Sequence, residues 1–382
     1  MAIDWTKSMR QTYEVYIVDP STWLDSKLLD TVTGASITRD ISSDTVVSGS
    51  IEYVGEINED YVRIYLIAEQ GDEYEKIPLI TMLCQTPSME YNGKYKKTSI
   101  TGYSPILELE GEYPPLGYTV PRNYPNWYQK SFDDLIVTRL DQLIPQIFED
   151  HCRAPIGSMS VERADQKSLN ALYKDYVVGQ EDTWKTVAFK LLEMINQKVM
   201  ITPLGEIKFY ESPNYLTLQP TWTYTSDNSS ILATDLTVER DLYGVPNVVQ
   251  IIITTTAGNT IIGEATNEDE SSITSIQNRG RRVVHREVNP DILGKVASGV
   301  AKDVAEDYAK DILQRLSSLT YTINYTHGYC PVHIGDCVII DYPDAGINNE
   351  RAYVISQNID CKTGCQVEET AMLVKSLWSR KD

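Results

Sequence analysis

Residues 61–68 read YVRIYLIA, with Val62, Ile64, Leu66 and Ala68 alternating with Tyr61, Arg63, Tyr65 and Ile67. A period of two in β-branched, aromatic and aliphatic residues predicts a strand. Working outward, Tyr13, Val15 and Ile17 alternate with Glu14 and Tyr16, and similar runs recur at Val46–Val54, Lys76–Cys84 and Tyr95–Tyr103. Turn-forming clusters separate them at Ser42–Asp44, Asn58–Asp60, Gly71–Asp72 and Asn92–Gly93. Short strands at this spacing predict a small antiparallel barrel or sandwich over residues 1–105.

Past residue 105 the pattern changes. Residues 112–126 (EYPPLGYTVPRNYPN) carry four prolines and predict an extended connection. A helix follows, with Ser131 as its cap and Leu135, Leu140, Leu143 and Ile144 as its stripe; Pro145 kinks or ends it. A second helix is predicted over Asp182–Gln197, capped by Asp182, with Trp184, Val187, Ala188, Leu191, Leu192 and Ile195 on one face. A turn at Pro203–Gly205 leads into Ile207–Tyr210, which completes a mixed segment over 106–219.

From residue 220 the β-pattern returns. Two β-branched runs flank Ala257–Gly258–Asn259 within Asn247–Ile262, which predicts a hairpin. A polar loop (Asn267–Ser275) and a strand (Arg282–Val288) come next. A long helix is then predicted over 290–316, with Asn289 as its cap, Pro290 in the first turn, and a packed stripe of Val296, Val300 and Val304 continuing through Tyr308, Ile312 and Leu316. Strands at Tyr321–Tyr325, Cys337–Asp341, Ala352–Asn358 and Gln366–Val374 complete a second barrel over 220–382. The fold class is α+β, mainly β: two small antiparallel barrels, a mixed segment between them, and a long helix inserted in the second half. The likeness of the two β-parts suggests an internal duplication, although their sequence identity does not establish it.

Composition narrows the function. Against 34 Lys and Arg the chain carries 54 Asp and Glu, a net charge of −20. Such a surface repels phosphate, so neither stable nucleic-acid binding nor binding to acidic membranes is expected. No run of about 18 apolar residues predicts membrane insertion, and the N-terminus has no apolar core of a signal peptide. Six cysteines without an export signal read as reduced thiols. The 25 Tyr against 4 Phe suit wet interfaces better than dry cores.

The chain holds no nucleophile elbow, zinc-protease, P-loop or dinucleotide motif. Its histidines are His151, His285, His327 and His333. His285, in VVHRE, is read as a strand histidine facing solvent or a neighbour and not as a triad base. His327, Cys330, His333 and Cys337 are zinc-ligand residue types close in sequence, with Cys361 and Cys365 downstream. Their H-x2-C-x2-H-x3-C spacing departs from the standard fingers, and buried cysteines commonly act as small hydrophobes. The expectation is no catalytic residue, no metal and no cofactor.

Several phrases, in order along the chain, resemble one family. Ile37–Gly55 (ITRDISSDTVVSGSIEYVG) resembles an early strand pair around an Arg-Asp, and Tyr61–Leu66 the strand after it. Gly102–Glu110 resembles the end of a first barrel, and Trp184–Asn196 a helix before a hairpin. Val245–Ile253 has Pro-Asn at a strand start, Asn278–Val288 resembles an Arg-Gly strand, and His333–Ile340 (HIGDCVII) a Gly-Asp strand start. Together they resemble the baseplate or tail-hub proteins of tailed bacteriophages and of contractile phage-tail-like particles. The resemblance implies a non-enzymatic homotrimer whose six barrels ring the axis of a six-fold tail tube. It implies a tail tube protein, a central spike or tail-fibre protein and neighbouring baseplate proteins as partners. It also implies a place in a virion tail or phage-like particle assembled in the bacterial host cytoplasm. Two alternatives stand beside it. One is a receptor- or cell-wall-carbohydrate-binding protein stacking sugars on Trp127, Tyr128, Trp222 and Tyr224. The other is a tail-associated cell-wall hydrolase, for which the residues after Val374 leave no separate domain.

Overall fold

The computed structural model describes residues 3–55, 57–91, 93–120, 140–159, 175–195, 197–211, 218–227, 230–240, 242–290, 299–362 and 364–376. The N-terminal strands are β1 (Arg10–Val18), β2 (Asp25–Leu28), β3 (Val32–Asp40), β4 (Val47–Val54), β5 (Tyr61–Gln70), β6 (Glu73–Tyr91) and β7 (Lys96–Tyr103). The connecting segment holds β8 (Thr119–Val120), α1 (Leu140–His151), β9 (Tyr176–Val177), α2 (Trp184–Met194), β10 (Gln197–Ile201) and β11 (Ile207–Glu211). The C-terminal part runs β12 (Pro220–Thr225), β13 (Leu232–Arg240), β14 (Val248–Thr254), β15 (Thr260–Thr266), α3 (Ile276–Arg279), β16 (Val284–Val288) and α4 (Ala301–Leu316). It finishes with β17 (Ser318–Gly328), β18 (Cys337–Tyr342), β19 (Ile347–Asp360) and β20 (Gln366–Ser376).

The alternation in YVRIYLIA is real, but both of its faces are buried. Val62, Ile64, Leu66 and Ala68 enter the main core. On the other face Arg63 bonds Asp25 Oδ1 at 2.9 Å, Thr81 Oγ1 at 2.8 Å and the Leu204 carbonyl at 3.0 Å. The turn after β10 covers that face: the Leu204 carbonyl also accepts from Trp23 Nε1 at 2.7 Å, and that of Pro203 from Thr81 Oγ1 at 3.0 Å. Gly205 sits in this contact at φ +83°, where a Cβ would lie 2.8 Å from the Trp23 ring.

The main difference from the sequence reading lies in closure. Two closed barrels were expected, whereas the structure joins both β-parts into one 13-stranded sheet. Among the described residues the end strands of each part, β1 with β3 and β12 with β13, do not pair. The long β19 accounts for the continuity. Its first half pairs β18, and where β18 ends, Ser356–Asp360 pair antiparallel with Asp40–Ser36 of β3.

The helices also differ in detail. The side chain that caps α2 belongs to Thr183, which accepts from the Thr186 N–H, while Asp182 accepts from the Gly179 N–H at 2.8 Å. Ser131 and Leu135 lie outside the described residues. The long helix is described from Ala301 and not from 290; Val296 lies outside the described residues. Asn289 caps no described helix. It has φ 48°, donates its N–H to the Ile252 carbonyl and accepts from Thr254 N–H at 2.7 Å, so it ties β16 to β14. Val300 does not join the packed stripe, because it precedes the first helical residue and is 53% exposed. The C-terminal part of the stripe does pack: Ile312 is buried and Tyr308 and Leu316 lie against the same cluster, but the other buried residues of α4 are Ala301, Ala305, Ala309 and Leu313, laid on the β14–β15 hairpin. Small residues suit this face because helix and strand nearly touch: a Cβ on Gly263 of β15 would fall 2.3 Å from the Ala305 carbonyl carbon.

Candidate functional site

The joint where β19 meets β3 brings together the buried side chains of Arg39, Gln357, Glu369 and His327. Arg39, on β3, is 3% exposed. Its guanidinium donates to Gln357 Oε1 at 2.9 Å, to the Leu79 carbonyl at 2.5 Å and to His333 Nδ1 at 3.1 Å. Gln357, directly opposite Arg39 in the ladder, passes the contact on through Nε2 to Glu369 Oε2 at 2.6 Å and the Val332 carbonyl at 2.9 Å. Glu369 is buried and also accepts from the Tyr325 and Tyr224 hydroxyls. His327 Nε2 lies 3.4 Å from Glu369 Oε2, and its Nδ1 is 2.6 Å from the Gly328 carbonyl.

Both nitrogens of His327 therefore face acceptors, the arrangement of an imidazolium. Burial by itself lowers its pKa, but hydrogen bonds to Cys330 and Glu369 and the Glu369 charge outweigh that and raise it to about 10. His333 goes the other way: burial and the Arg39 charge lower its pKa to about 3, so it stays neutral and accepts from the guanidinium. The cluster is thus a network of two cations, one carboxylate and neutral bridging groups. His333 is half-buried beside a cavity of about 330 Å³ that Arg39 also lines, whereas Gln357, Glu369, Tyr325 and His327 are buried. The role of the network is structural, because breaking a buried, hydrogen-bonded charge costs far more than the network contributes intact.

The four sequence candidates for metal ligation split across this network. His327 and Cys330 meet, with Sγ 3.9 Å from Nδ1, but His333 turns to Arg39. Cys337, on β18, has its carbonyl bonded by Thr221 Oγ1 at 3.2 Å. Among the described residues no group of three or more His, Cys, Asp or Glu is placed to hold a metal ion. All six cysteines are free and buried. Burial pushes the Cys84 thiol up to about 12 and Cys365 up to about 11, and also raises Cys152, Cys337 and Cys361. Those five are poor nucleophiles at neutral pH. His285 lies half-buried on β16 with Nε2 3.2 Å from Glu287 Oε1. Of the aromatic residues considered for sugar stacking, Tyr224 is fully buried in the network, Trp222 is half-buried, and Trp127 and Tyr128 lie outside the described residues.

The joint also exposes a repeat. In the first part the strands β1, β3, β4, β5, β6 and β7, counted one to six, stand in the sheet as two-three-six-five-four-one. In the second part β12, β13, β17, β18, β19 and β20 stand in the same order. The other neighbour pairs are antiparallel in both parts, and the one departure is that β1 meets β5 antiparallel while β12 meets β18 parallel. Registers agree residue by residue. Leu83 faces Tyr61 and Tyr103, as Tyr353 faces Cys337 and Met372, and each long strand bulges directly after, between Cys84 and Thr86 and between Val354 and Ser356.

Comparison with proteins of known structure places this arrangement. A tail protein from Neisseria meningitidis MC58 is 10% identical with a TM-score of 0.64, the match covering 95% of this chain and 96% of that one. The chain has the fold of these phage tail proteins. The prophage MuSo2 43 kDa tail protein from Shewanella oneidensis is similar at 12% identity and TM-score 0.59, over 94% of this chain and 98% of that one. So is a chain of the Francisella PdpA–VgrG complex, at 9% identity and TM-score 0.55, over 96% of this chain and 58% of that one. No protein-family model and no curated protein sequence matches.

Within this tail-protein fold, Arg39, Gln357 and Glu369 escape sequence reasoning. Each is a polar residue on a strand, which ordinarily reads as solvent-facing. One signal was available: SITRD at 36–40 recurs as TVERD at 237–241, and the ladders put Ser36 opposite Ser50 and Thr237 opposite Asn324, the equivalent positions of β4 and β17.

Proposed function

We propose that the chain is the structural hub of a phage tail or phage-like particle baseplate, a homotrimer that joins the tail tube to the central spike or tip. The observation that carries this reading is the repeated strand order within one chain. Three chains bearing two equivalent units each present six similar units around one axis, which suits a six-fold tube above and a three-fold spike below. The likeness to phage tail proteins over nearly the whole chain supports it, and so does the likeness to a chain of a VgrG complex. On this reading the two units are the small barrels of the hub, and tube, spike or fibre, and neighbouring baseplate proteins are its partners. The chain belongs to the tail of a virion or phage-like particle, assembled in the host cytoplasm, and acts without catalysis. Burial of Tyr224 removes one of the aromatic platforms that a sugar-binding reading requires. Light scattering on the full chain tests the proposal: three chain masses are expected, and a two-fold dimer with an extensive interface would contradict it.

A further inference from the structure

The repeat makes a contact inside the chain that has an unused counterpart. Within the chain, residues 356–360 of β19, past the end of β18, pair with residues 40–36 of β3. The equivalent part of β6 is residues 86–90, past its pairing with β5, and the equivalent of β3 is β13. Both equivalents carry a free edge. Beyond Leu83, β6 pairs only β7, and β13 pairs only β17, among the described residues.

The side chains mark the same gap. In the occupied joint Ile359 stands directly opposite Ile37, and these are 2% and 1% exposed. Their counterparts through the register are Met89 and Val238, which are 57% and 41% exposed. Cys361, which donates its N–H to the Ala35 carbonyl, is buried, whereas its counterpart Tyr91 is 65% exposed. Apolar side chains on an unpaired strand edge are an aggregation hazard that folded proteins normally blunt. Pro87 leaves the β6 edge at most one donor short of a complete ladder.

We propose that these two edges pair between copies of this chain: residues 87–90 of β6 in one protomer add antiparallel to residues 240–237 of β13 in the next. The register transferred from the intrachain joint sets Met89 against Val238 and Glu90 against Thr237. Because the two edges are different surfaces, the contact is head-to-tail, and it closes a ring when its rotation matches that of the intrachain joint. The sheet then runs unbroken around the assembly. This inference deepens the trimeric reading given above and rests on it, by naming the residues that make the ring contact.

Cysteine cross-linking of the full chain tests it. Chains bearing only Met89→Cys are mixed with chains bearing only Val238→Cys and oxidised mildly; the native thiols are buried and do not compete. The mixture should give a covalent dimer that neither variant gives alone, and the double variant should give a covalent trimer. In parallel, Met89→Asp should weaken self-association at least about tenfold by placing an unpaired charge in the contact, and Met89→Lys combined with Val238→Glu should restore most of it. If the wild-type chain forms an oligomer but the mixture does not cross-link and Met89→Asp leaves the mass unchanged, the proposed interface is wrong and the hub reading stands. If the chain stays monomeric at every concentration and the mixture does not cross-link, the interface and the self-assembling hub fall together.

Discussion

The two strand units of this chain share an order and a register but differ in what occupies the same edge. At the β3–β19 joint the edge is filled from within the chain, and the residues there are Ile37, Arg39, Gln357 and Ile359, all buried. Among the described residues the same edge of β6 and β13 is unpaired, and its apolar residues, Met89 and Val238, are exposed. One architecture with two occupancies separates what the fold requires from what assembly requires. A buried polar network belongs where the contact is permanent, because it forms together with the fold. At the unfilled edge Pro87 stands where Gln357 completes the network, and Met89 and Val238 stand where Ile359 and Ile37 are buried. Exposed apolar residues cost less than an unpaired charge costs to bury.

Breaking the occupied joint should have the largest effect. Arg39→Leu removes the guanidinium that offsets Glu369 and serves Gln357, the Leu79 carbonyl and His333. We expect a loss of about 3–5 kcal/mol of folding stability, read from denaturant unfolding. A stability change below about 1 kcal/mol would mean that the network is not a coupled unit.

The apolar pairs sharpen the comparison directly. Ile37→Ala opens a cavity in the filled joint and should cost about 2–4 kcal/mol. Val238→Ala, at the equivalent position of the empty edge, should leave the stability of the separate chain within about 0.5 kcal/mol and weaken only self-association. Equal losses at the two positions would show that the edges are not different in the free chain.

The joint's two histidines should respond to pH in opposite senses. His333 has a folded pKa lowered to about 3 from 6.5, so the unfolded chain takes up a proton that the folded chain refuses, and stability falls as pH drops below about 6.5. His327 has a folded pKa raised to about 10, so the stability it adds is fully present below 6.5 and is lost as pH rises toward 10. Removing His333 with His333→Asn should therefore flatten the acid side of the stability profile, by about 2–3 kcal/mol between pH 6 and pH 4 relative to wild type. An unchanged acid slope would place His333 in water.

Gly263→Ala tests how closely α4 lies on its hairpin. The added methyl has no room beside Ala305, and a cost of about 1–3 kcal/mol is expected. Val300→Asp, at the exposed residue before the helix, should change stability by less than about 0.5 kcal/mol.

Much of this fold was legible in the sequence. Strand alternation places β4, β5 and β7 within a residue or two and β1 within three, and the hairpin around Gly258 is marked by its turn residues. What was not legible came from tertiary contact. YVRIYLIA reads as one-sided because Arg63 and Tyr65 are polar; contacts distant in sequence bury them, the Leu204 carbonyl and Asp25 taking up Arg63 while Asp25 and Tyr16 cover Tyr65. The stripe of Val296, Val300 and Val304 rests on i,i+4 spacing, which Ala301, Ala305 and Ala309 share, and the close approach at Gly263 selects the alanines. The His/Cys candidates were grouped by spacing, but their side chains divide between two partners, Glu369 and Arg39, that lie far along the chain. The duplication that the likeness of the two β-parts suggests is not established by sequence because its period is not constant. Ser36 corresponds to Thr237, 201 positions on, but Ser48 corresponds to Thr322, 274 positions on, because the β14–β16 sheet and α4 are inserted between β13 and β17.

That two equivalent units per chain close into one ring of three chains is tested most directly by averaged electron-microscope images of the assembled protein viewed down its axis. The structure leads us to expect six lobes of nearly equal size and spacing around a central opening, with three-fold symmetry on close inspection. Three lobes, or a particle with a single two-fold axis, would contradict it.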